Sequence, residues 1–206
     1  MEFFFEIHSN LPREGPGDNK STKKAYLYLK GLPANICILD VGCGPGMQTI
    51  QLAKLINGTI IALDNHQPFL DELVKRAKKV GVINKIQTIN KSMFSLDFAE
   101  ESFHIIWSEG AVYIYGFENA LKDWQKFLKS KGFFVVTEVS WLKENPPSEL
   151  KDFWDKAYPA IKTIEENQKL IIENNYEMIN FFNVPDSSWW DNYYHPLEKR
   201  ISFLRK

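Results

Sequence analysis

Three glycines at every second position, Gly42, Gly44 and Gly46, constrain this chain more than any other feature of its sequence. They follow an apolar, partly β-branched run over residues 35–41 that contains Asp40, and they precede apolar residues at helical spacing. This order predicts a buried strand, a tight turn and the N-terminus of a helix, which together form a nucleotide-type ligand site. Glycine suits such a turn because it lacks a Cβ, so that the backbone bends sharply and approaches a ligand closely.

Strands and helices alternate through the middle of the chain. Runs typical of strands occupy residues 35–41, 59–64, 85–89, 103–107 and 133–139. Helical spacing of apolar residues appears over 21–29, 50–56, 69–80 and 117–128. The alternation predicts an α/β fold, a Rossmann-like doubly wound and mostly parallel sheet with right-handed crossovers.

The residues around the glycines distinguish three kinds of ligand turn. A phosphate-binding P-loop requires a Gly-Lys-Ser/Thr ending, which this stretch lacks. A dinucleotide fingerprint requires Gly or Ala where Met47 stands, and a bulky residue there hinders close passage of a pyrophosphate. The spacing therefore favours a ligand that presents no phosphate to the turn.

At these residues the sequence resembles the class I S-adenosylmethionine-dependent methyltransferases. The resemblance rests on residues 39–46 together with Asp64, which ends the next strand, and it extends through 13–17, 107–113 and 138–141. The last three stretches are similar to a type 11-like subgroup that acts on small molecules. The resemblance implies that the glycine turn meets the methionine part of S-adenosylmethionine and that Asp64 accepts hydrogen bonds from both ribose hydroxyls.

The same resemblance implies further cofactor contacts. The family often has an acid after the third strand that meets the adenine amino group, and Ser92 stands there instead. Met93 is expected to pack on the adenine face, with ordinary core packing as the alternative. The complete set of expected cofactor-binding residues is Asp40, Gly42, Gly44, Gly46, Asp64, Asn65, Ser92, Met93 and Ser108.

Methyl transfer from a sulfonium is a single in-line displacement, for which orientation alone contributes about 7–11 kcal/mol. Glu109 is the candidate base or substrate-amine anchor, with a salt bridge or a helix cap as its alternative. Tyr113 is the second candidate catalytic residue, lining the pocket or donating to substrate, unless it is a buried structural tyrosine. Arg13 and Glu14 belong either to a lid or to a solvated loop.

Bulk properties exclude several other classes. The net charge of -1 gives no reason to expect nucleic acid or an anionic membrane as the main partner. The first residues are short and acid-flanked, unlike a signal peptide, and the two cysteines suggest a reducing cytoplasm. The four histidines show no metal-ligand spacing, so we expect no metal site. The small-molecule substrate is what the resemblance to the type 11-like subgroup implies.

We expect one domain over residues 1–206. It comprises an N-terminal lid and helix segment (1–34), a cofactor-binding core (35–140) and a helical, aromatic segment on the substrate side (141–206). Residues 176–184 are interpreted as a sixth strand, residues from Pro196 as a helix start, and the family's seventh strand as vestigial or missing. A shortened C-terminal end would leave a sheet edge or an aromatic surface for a homodimer.

Two function classes remain open at this point. The chain is either a methyltransferase acting on a small molecule or a catalytically inactive cofactor-binding protein or sensor with a shortened C-terminus. Late aromatic residues fit a cation–π cage for an amine substrate, or else core and interface packing. They are Trp141, Phe153, Trp154, Tyr158, Trp189, Trp190, Tyr193 and Tyr194.

Overall fold

A computed structural model describes the backbone of residues 2–205 and the side chains of residues 5–205. Five parallel strands form the central sheet in the order β3-β2-β1-β4-β5. They are β1 (Ile36–Val41), β2 (Gly58–Asp64), β3 (Ile86–Asn90), β4 (Phe103–Ser108) and β5 (Leu128–Val136). Two short parallel strands, β6 (Ser140–Trp141) and β7 (Lys162–Thr163), pair with each other beside this sheet.

Helices flank the sheet and continue beyond it. In chain order they are α1 (Glu2–His8), α2 (Asn19–Tyr28), α3 (Met47–Leu55), α4 (Gln67–Lys79), α5 (Val112–Tyr115), α6 (Phe117–Asp123), α7 (Ser148–Ala157), α8 (Ile164–Glu173), α9 (Asp186–Trp189) and α10 (His195–Leu204). Short 3₁₀ turns occupy Ile83–Lys85, Met93–Ser95 and Gln125–Phe127, and a π-helical stretch, Trp190–Tyr194, joins α9 to α10.

The central strands are apolar because both faces of the sheet are covered. Ile38 and Leu39, which are neighbours on β1, are both fully buried, yet they belong to different core clusters on opposite faces. Such two-sided burial is typical of parallel sheets with helices on each face. The prediction of a doubly wound α/β fold with a mostly parallel sheet is therefore confirmed.

Strand order determines where a ligand can bind. From β1 the chain winds outward to β2 and β3 on one side, and then returns to place β4 and β5 on the other. The crossover helices leave β1 and β4 in opposite directions, so a crevice opens outside the carboxyl ends of these two strands. The glycine turn follows β1 directly and lies at this crevice.

The predicted sixth strand is wrong. Residues 176–184 form no helix or strand. The helix before them, α8, ends at Glu173, and Asn175 follows it at a positive φ of 63°. The Tyr176 hydroxyl then donates to the Leu121 carbonyl of α6 at 3.2 Å. That anchor attaches the segment to a helix rather than to the edge of β5, so no ladder forms. The fifth strand also begins earlier than predicted, at Leu128, and ends before Glu138.

The C-terminal helices pack on the N-terminal one. His8 Nε2 on α1 lies 3.2 Å from the Tyr193 hydroxyl, and the Arg200 guanidinium donates to the Glu6 carbonyl at 3.3 Å. The helix expected from Pro196 is present as α10. Within the described part of the chain, no helix combines the length and the apolar character that crossing a bilayer requires.

Candidate active site

The glycine turn has the backbone shape that its sequence predicts. Gly42, Gly44 and Gly46 all adopt positive φ angles, of 72°, 52° and 84°. The amides of Gly42 and Cys43 donate to the Leu63 carbonyl at 2.8 and 3.0 Å, which ties the turn to the end of β2. A side chain is strained at such φ values, so the turn requires glycine at each of the three positions.

Close neighbours leave no room for a Cβ at these glycines. A Cβ on Gly42 would lie 2.4 Å from the Ala111 methyl carbon, and one on Gly44 would lie 2.6 Å from Glu14 Oε1. At Gly46 the clash would be with Leu73 on α4, at 2.1 Å. The last glycine therefore serves helix packing, whereas the first two allow the loops after β4 and before α2 to approach the turn.

Asp64 ends β2 and faces the turn. Its Oδ2 accepts from the Gly44 amide at 2.9 Å, and its Oδ1 accepts from the His66 amide at 2.9 Å. Each carboxylate oxygen keeps a free lone pair, so both can accept a further bond. Burial raises the pKa of Asp64. The neighbouring Asn65 is exposed.

Two predicted cofactor residues lie beneath the turn instead of lining the crevice. Asp40 is 0% exposed, and its Oδ2 accepts from the Thr49 hydroxyl at 2.6 Å. Ser108 is also inaccessible, and its hydroxyl donates to the Val41 carbonyl at 2.9 Å. Burial raises the pKa of Asp40 to about 7. These side chains hold β1, α3 and β4 together, so their effect on a ligand would be indirect.

Ser92 and Met93 lie beside the turn, after β3. The Ser92 hydroxyl accepts from the Phe94 amide at 3.2 Å and so begins a short 3₁₀ turn. The Met93 methyl carbon would be 3.4 Å from a Cβ on Gly42, which places the thioether against the first glycine. Both side chains are half-buried, so each still presents surface to the crevice.

Glu109 follows β4 and is fully engaged with other side chains. Its Oε1 accepts from the Thr22 hydroxyl at 2.7 Å and from the Trp107 indole N–H at 2.9 Å. Its Oε2 pairs with the Arg13 guanidinium at 3.0 Å, and the two side chains are only 6% and 7% exposed. The structure thus brings Arg13 and Glu109 together as a buried ion pair that joins the N-terminal loop to the sheet.

Tyr113 is the more exposed of the two candidate catalytic residues, at 46%. Its ring packs edge-on against Tyr158, with centroids 5.9 Å apart. The Tyr158 hydroxyl donates to Glu138 Oε1 at 2.7 Å, while Glu138 Oε2 is buried and lacks a partner among the described residues. Burial raises the pKa of Glu138 to about 7.

The Tyr158–Glu138 pair was not among the predicted site residues. Glu138 comes two residues after the end of β5, and an acid just past the carboxyl end of a parallel strand is a signal that could have found it. The partner could not be found in this way, because Tyr158 ends α7 twenty residues later and nothing local connects the two.

A single arginine fixes the N-terminal loop on the glycine turn. The Arg76 guanidinium donates to the Leu11 carbonyl at 3.0 Å, the Pro12 carbonyl at 3.2 Å and the Pro45 carbonyl at 3.4 Å. Glu72 holds this guanidinium in place through an ion pair at 2.8 Å. The loop that carries Arg13 and Glu14 is therefore attached to the site, as a lid would be, and Arg13 is buried.

The late aromatic residues do not form one cage. Their ring contacts fall into separate groups: Tyr158 with Tyr113, Phe153 with Trp154 on α7, and a third group along the C-terminal helices. In the third group Trp190 is 52% exposed and contacts Tyr194. Among the ring contacts of the described residues, that of Tyr158 with Tyr113 is therefore the one that joins a late aromatic residue to a predicted site residue.

Comparison with known proteins agrees with this geometry. Residues 38–132 match the family model described as "Methyltransferase domain". A SAM-dependent methyltransferase from Geobacter sulfurreducens, solved with S-adenosyl-L-homocysteine, superposes with a TM-score of 0.84 over 99% of this chain and 82% of its own, at 16% identity. YjhP from E. coli superposes with a TM-score of 0.87 over 99% and 83% of the two chains, at 18% identity.

Residues 38–132 thus resemble a methyltransferase domain, and the chain as a whole has the class I methyltransferase fold. The predicted family resemblance is thus confirmed. Sterol 24-C-methyltransferase erg6 from Aspergillus fumigatus is 26% identical over 135 residues, which cover 65% of this chain and 33% of that enzyme. The chain spans only about a third to a half of the curated sterol methyltransferases that it matches.

Proposed function

We propose that the protein is an S-adenosylmethionine-dependent methyltransferase acting on a small-molecule acceptor. The observation that carries the proposal is the hydrogen bond of Asp64 Oδ2 with the Gly44 amide. It joins the expected ribose acceptor and the expected methionine-binding turn into one unit at the switch point of the sheet. The methyltransferase family match over residues 38–132 supports the same reading.

The residues present fit the cofactor. The open lone pairs of Asp64 suit two ribose hydroxyls, since a carboxylate accepts two donors strongly. Gly42 and Gly44 give the backbone closeness that the methionine portion requires, and Met93 offers an apolar surface beside them for the adenine. We assign Ser92 and the exposed Asn65 to the adenosine end, and Asp40 and Ser108 to support of the turn.

The bound cofactor would supply an activated methyl group on a sulfonium. The chain would orient the acceptor in line with it and exclude water, which is the main demand of such a displacement. We propose that Glu109 is a positioning residue, because three donors already occupy its carboxylate. Tyr113 and Glu138 are left for the acceptor, the first through its exposed ring and the second through its unpartnered Oε2.

A second candidate function follows from Glu109 itself. If the acceptor requires a base after β4, the pairing of Glu109 with Arg13 leaves none there, and the protein would bind the cofactor without transferring its methyl group. A sensor of S-adenosylmethionine or S-adenosylhomocysteine would need only the cofactor side. Release of S-adenosylhomocysteine in a panel of small amine, hydroxyl and carbon acceptors separates an enzyme from such a binding protein.

The first test is calorimetric titration with S-adenosylmethionine and S-adenosylhomocysteine. We expect binding, and we expect Asp64→Ala to weaken it at least tenfold, which corresponds to about 1.4 kcal/mol. The exposed Asp97, whose partner is Lys91, gives a matched control, Asp97→Ala, that leaves affinity unchanged. Absence of binding up to millimolar cofactor would sink the proposal, and unchanged affinity in Asp64→Ala would remove the ribose assignment.

The remaining expectations belong to the same proposal. We propose that residues 1–34 cover the site, that 35–140 bind the cofactor and that 141–206 contact the acceptor. A second copy of the chain is proposed to pack at the edge strand β5 or at the aromatic surface around Trp190, which sedimentation would detect as a dimer. Both cysteines are free thiols, which suits a reducing cytoplasm.

A further inference from the structure

Glu14 differs from Asp40, Asp64, Glu109 and Glu138 in accepting no hydrogen bond from the described residues. It lies in the loop between α1 and α2, and its Oε1 is buried with no hydrogen-bond partner among the described residues. That oxygen would be 2.6 Å from a Cβ placed on Gly44. The carboxylate therefore lies directly against the middle glycine of the turn.

A buried carboxylate without a partner is costly, because it has lost water and gained no donor in exchange. The described residues include no lysine or arginine that forms an ion pair with Glu14; the adjacent Arg13 is committed to Glu109. The nearby Asp64 adds a second negative charge. The position therefore favours a positively charged donor that the described residues do not provide.

Contacts on both sides hold Glu14 in place. Before it, the Leu11 and Pro12 carbonyls accept from Arg76, and Arg13 is anchored on Glu109. After it, the Gly17 amide donates to the Ser188 carbonyl of α9 at 3.4 Å. A solvated loop would place an unpaired acid in water, whereas these anchors direct Glu14 into the crevice.

We infer that Glu14 binds the ammonium group of the methionine portion of the cofactor. The inference rests on the proposed function, in which the glycine turn meets that portion and Asp64 meets the ribose. An ammonium is the one cationic hydrogen-bond donor of the cofactor, since the sulfonium carries no N–H or O–H. A carboxylate against Gly44 is thus placed where the ammonium end of the ligand passes the turn, and the ammonium would provide the donor and the countercharge that Glu14 lacks among the described residues.

The ion pair would change the protonation state of Glu14. Burial, together with the charge of Asp64, raises the pKa of Glu14 to about 8, and Cys43, Tyr113 and Tyr193 are the other titratable groups that face it. Near pH 7 the free protein therefore holds a proton on Glu14. Pairing with an ammonium stabilises the carboxylate, so binding at pH 7 should release up to one proton to the buffer.

Three nucleosides and one variant test the inference. S-adenosylhomocysteine carries the ammonium, its decarboxylated analogue keeps the amine, and 5′-methylthioadenosine lacks the whole amino-acid end. We expect Glu14→Gln to weaken the first two at least tenfold and to leave 5′-methylthioadenosine unchanged. Calorimetry in buffers of different ionisation enthalpy should show proton release on S-adenosylhomocysteine binding in the wild type but not in Glu14→Gln.

The controls keep the outcomes distinct. Glu100→Gln changes an exposed glutamate in the same way and should alter neither affinity nor proton release. Unchanged S-adenosylhomocysteine affinity in Glu14→Gln, or an equal loss for 5′-methylthioadenosine, would overturn the inference, the second by showing that Glu14 merely shapes the turn. If Glu14→Gln weakens only an amine acceptor, Glu14 belongs to the acceptor site. If the wild type binds none of the nucleosides, the proposed function fails instead.

Discussion

The two sides of the crevice are built in different ways. The cofactor side consists of residues that follow β1 and β2 directly, and its key hydrogen bond joins Gly44 to Asp64, twenty residues apart. The opposite side brings Arg13 to Glu109 across 96 residues, and α7 supplies Tyr158 to Glu138. The first side is therefore determined by local sequence, whereas the second exists only once the whole chain has folded.

The same contrast separates two neighbouring glutamates. Glu109 receives three donors, all from protein side chains, and Glu14 receives none in the described part of the chain. A buried carboxylate whose hydrogen bonds are all made by the protein stabilises the fold. A buried carboxylate without a hydrogen-bond partner destabilises the fold until a ligand binds to it. Glu109 thus anchors the N-terminal loop through Arg13, and Glu14 is the carboxylate that the anchored loop places against Gly44.

The largest expected effect comes from breaking the Arg13–Glu109 pair. Glu109→Gln leaves the buried guanidinium uncompensated, which typically costs about 3–5 kcal/mol of unfolding free energy. Denaturant titration measures this loss. The exposed pair of Lys122 and Glu118 provides the control, because Glu118→Gln at this solvated ion pair should leave the unfolding free energy almost unchanged. Were Glu109 instead the base, its variant would keep wild-type stability and lose only turnover.

A smaller loss of stability should distinguish a glycine of the turn from a glycine at an ordinary helix C-terminus. Gly42 and Gly81 have φ angles of 72° and 73°, but a Cβ on Gly81 would meet nothing within 4 Å. Gly81→Ala should therefore cost only the left-handed strain, about 1–2 kcal/mol. Gly42→Ala adds overlap with Ala111, about 1–3 kcal/mol more. Thermal and denaturant unfolding compare the stability of the two variants. Equal losses of stability would show that the turn accommodates the added methyl group without further cost.

Affinity for S-adenosylhomocysteine should also distinguish Gly42→Ala from Gly81→Ala. Gly42→Ala should also reduce affinity more than tenfold, because the added methyl group pushes the loop after β4 away from the turn. Gly81 ends α4 at the far end of that helix, so Gly81→Ala should leave affinity unchanged. A parallel loss in both variants would mean that affinity simply follows stability.

The sequence predicted what short-range rules determine. Gly42, Gly44 and Gly46 require a left-handed turn whatever surrounds them, and the following strand places Asp64 opposite by the geometry of a parallel sheet. The error over residues 176–184 has the opposite origin. Apolar content there suggested a strand, but a hydrogen bond from Tyr176 to Leu121 attaches the segment to α6. No local pattern encodes a contact between residues so far apart.

Site residues follow the same division. Asp40 and Ser108 were expected to contact the cofactor because of the family resemblance, yet the direction of each side chain depends on its packing partners. Thr49 and the Val41 carbonyl hold them beneath the turn. Glu138 lies within a stretch that carries the family resemblance, but its pairing with Tyr158 and the burial of its Oε2 depend on a residue twenty positions away.

The last expected effect is a slope of the unfolding free energy with pH, and it distinguishes an acceptor-side acid from a structural one. Burial raises the pKa of Glu138 from 4.5 to about 7, so between these values the folded protein binds more protons than the unfolded chain. Stability should therefore be fully present below pH 4.5 and fall as pH rises toward 7, by at most about 1.4 kcal/mol per pH unit for this group. Asp40 and Glu14 add slopes of the same sign.

Glu138→Gln isolates the contribution of this group, because it removes one titration and retains an acceptor for the Tyr158 hydroxyl. Unfolding free energies at pH 5, 6, 7 and 8 should fall less steeply in the variant than in the wild type. A ligand that donates to the unpartnered Oε2 would favour the ionised form and flatten the wild-type slope in the same way. Equal slopes of the unfolding free energy in the two proteins would mean that Glu138 is already ionised at pH 5. The assignment of its Oε2 to the methyl-acceptor substrate would then lose its support.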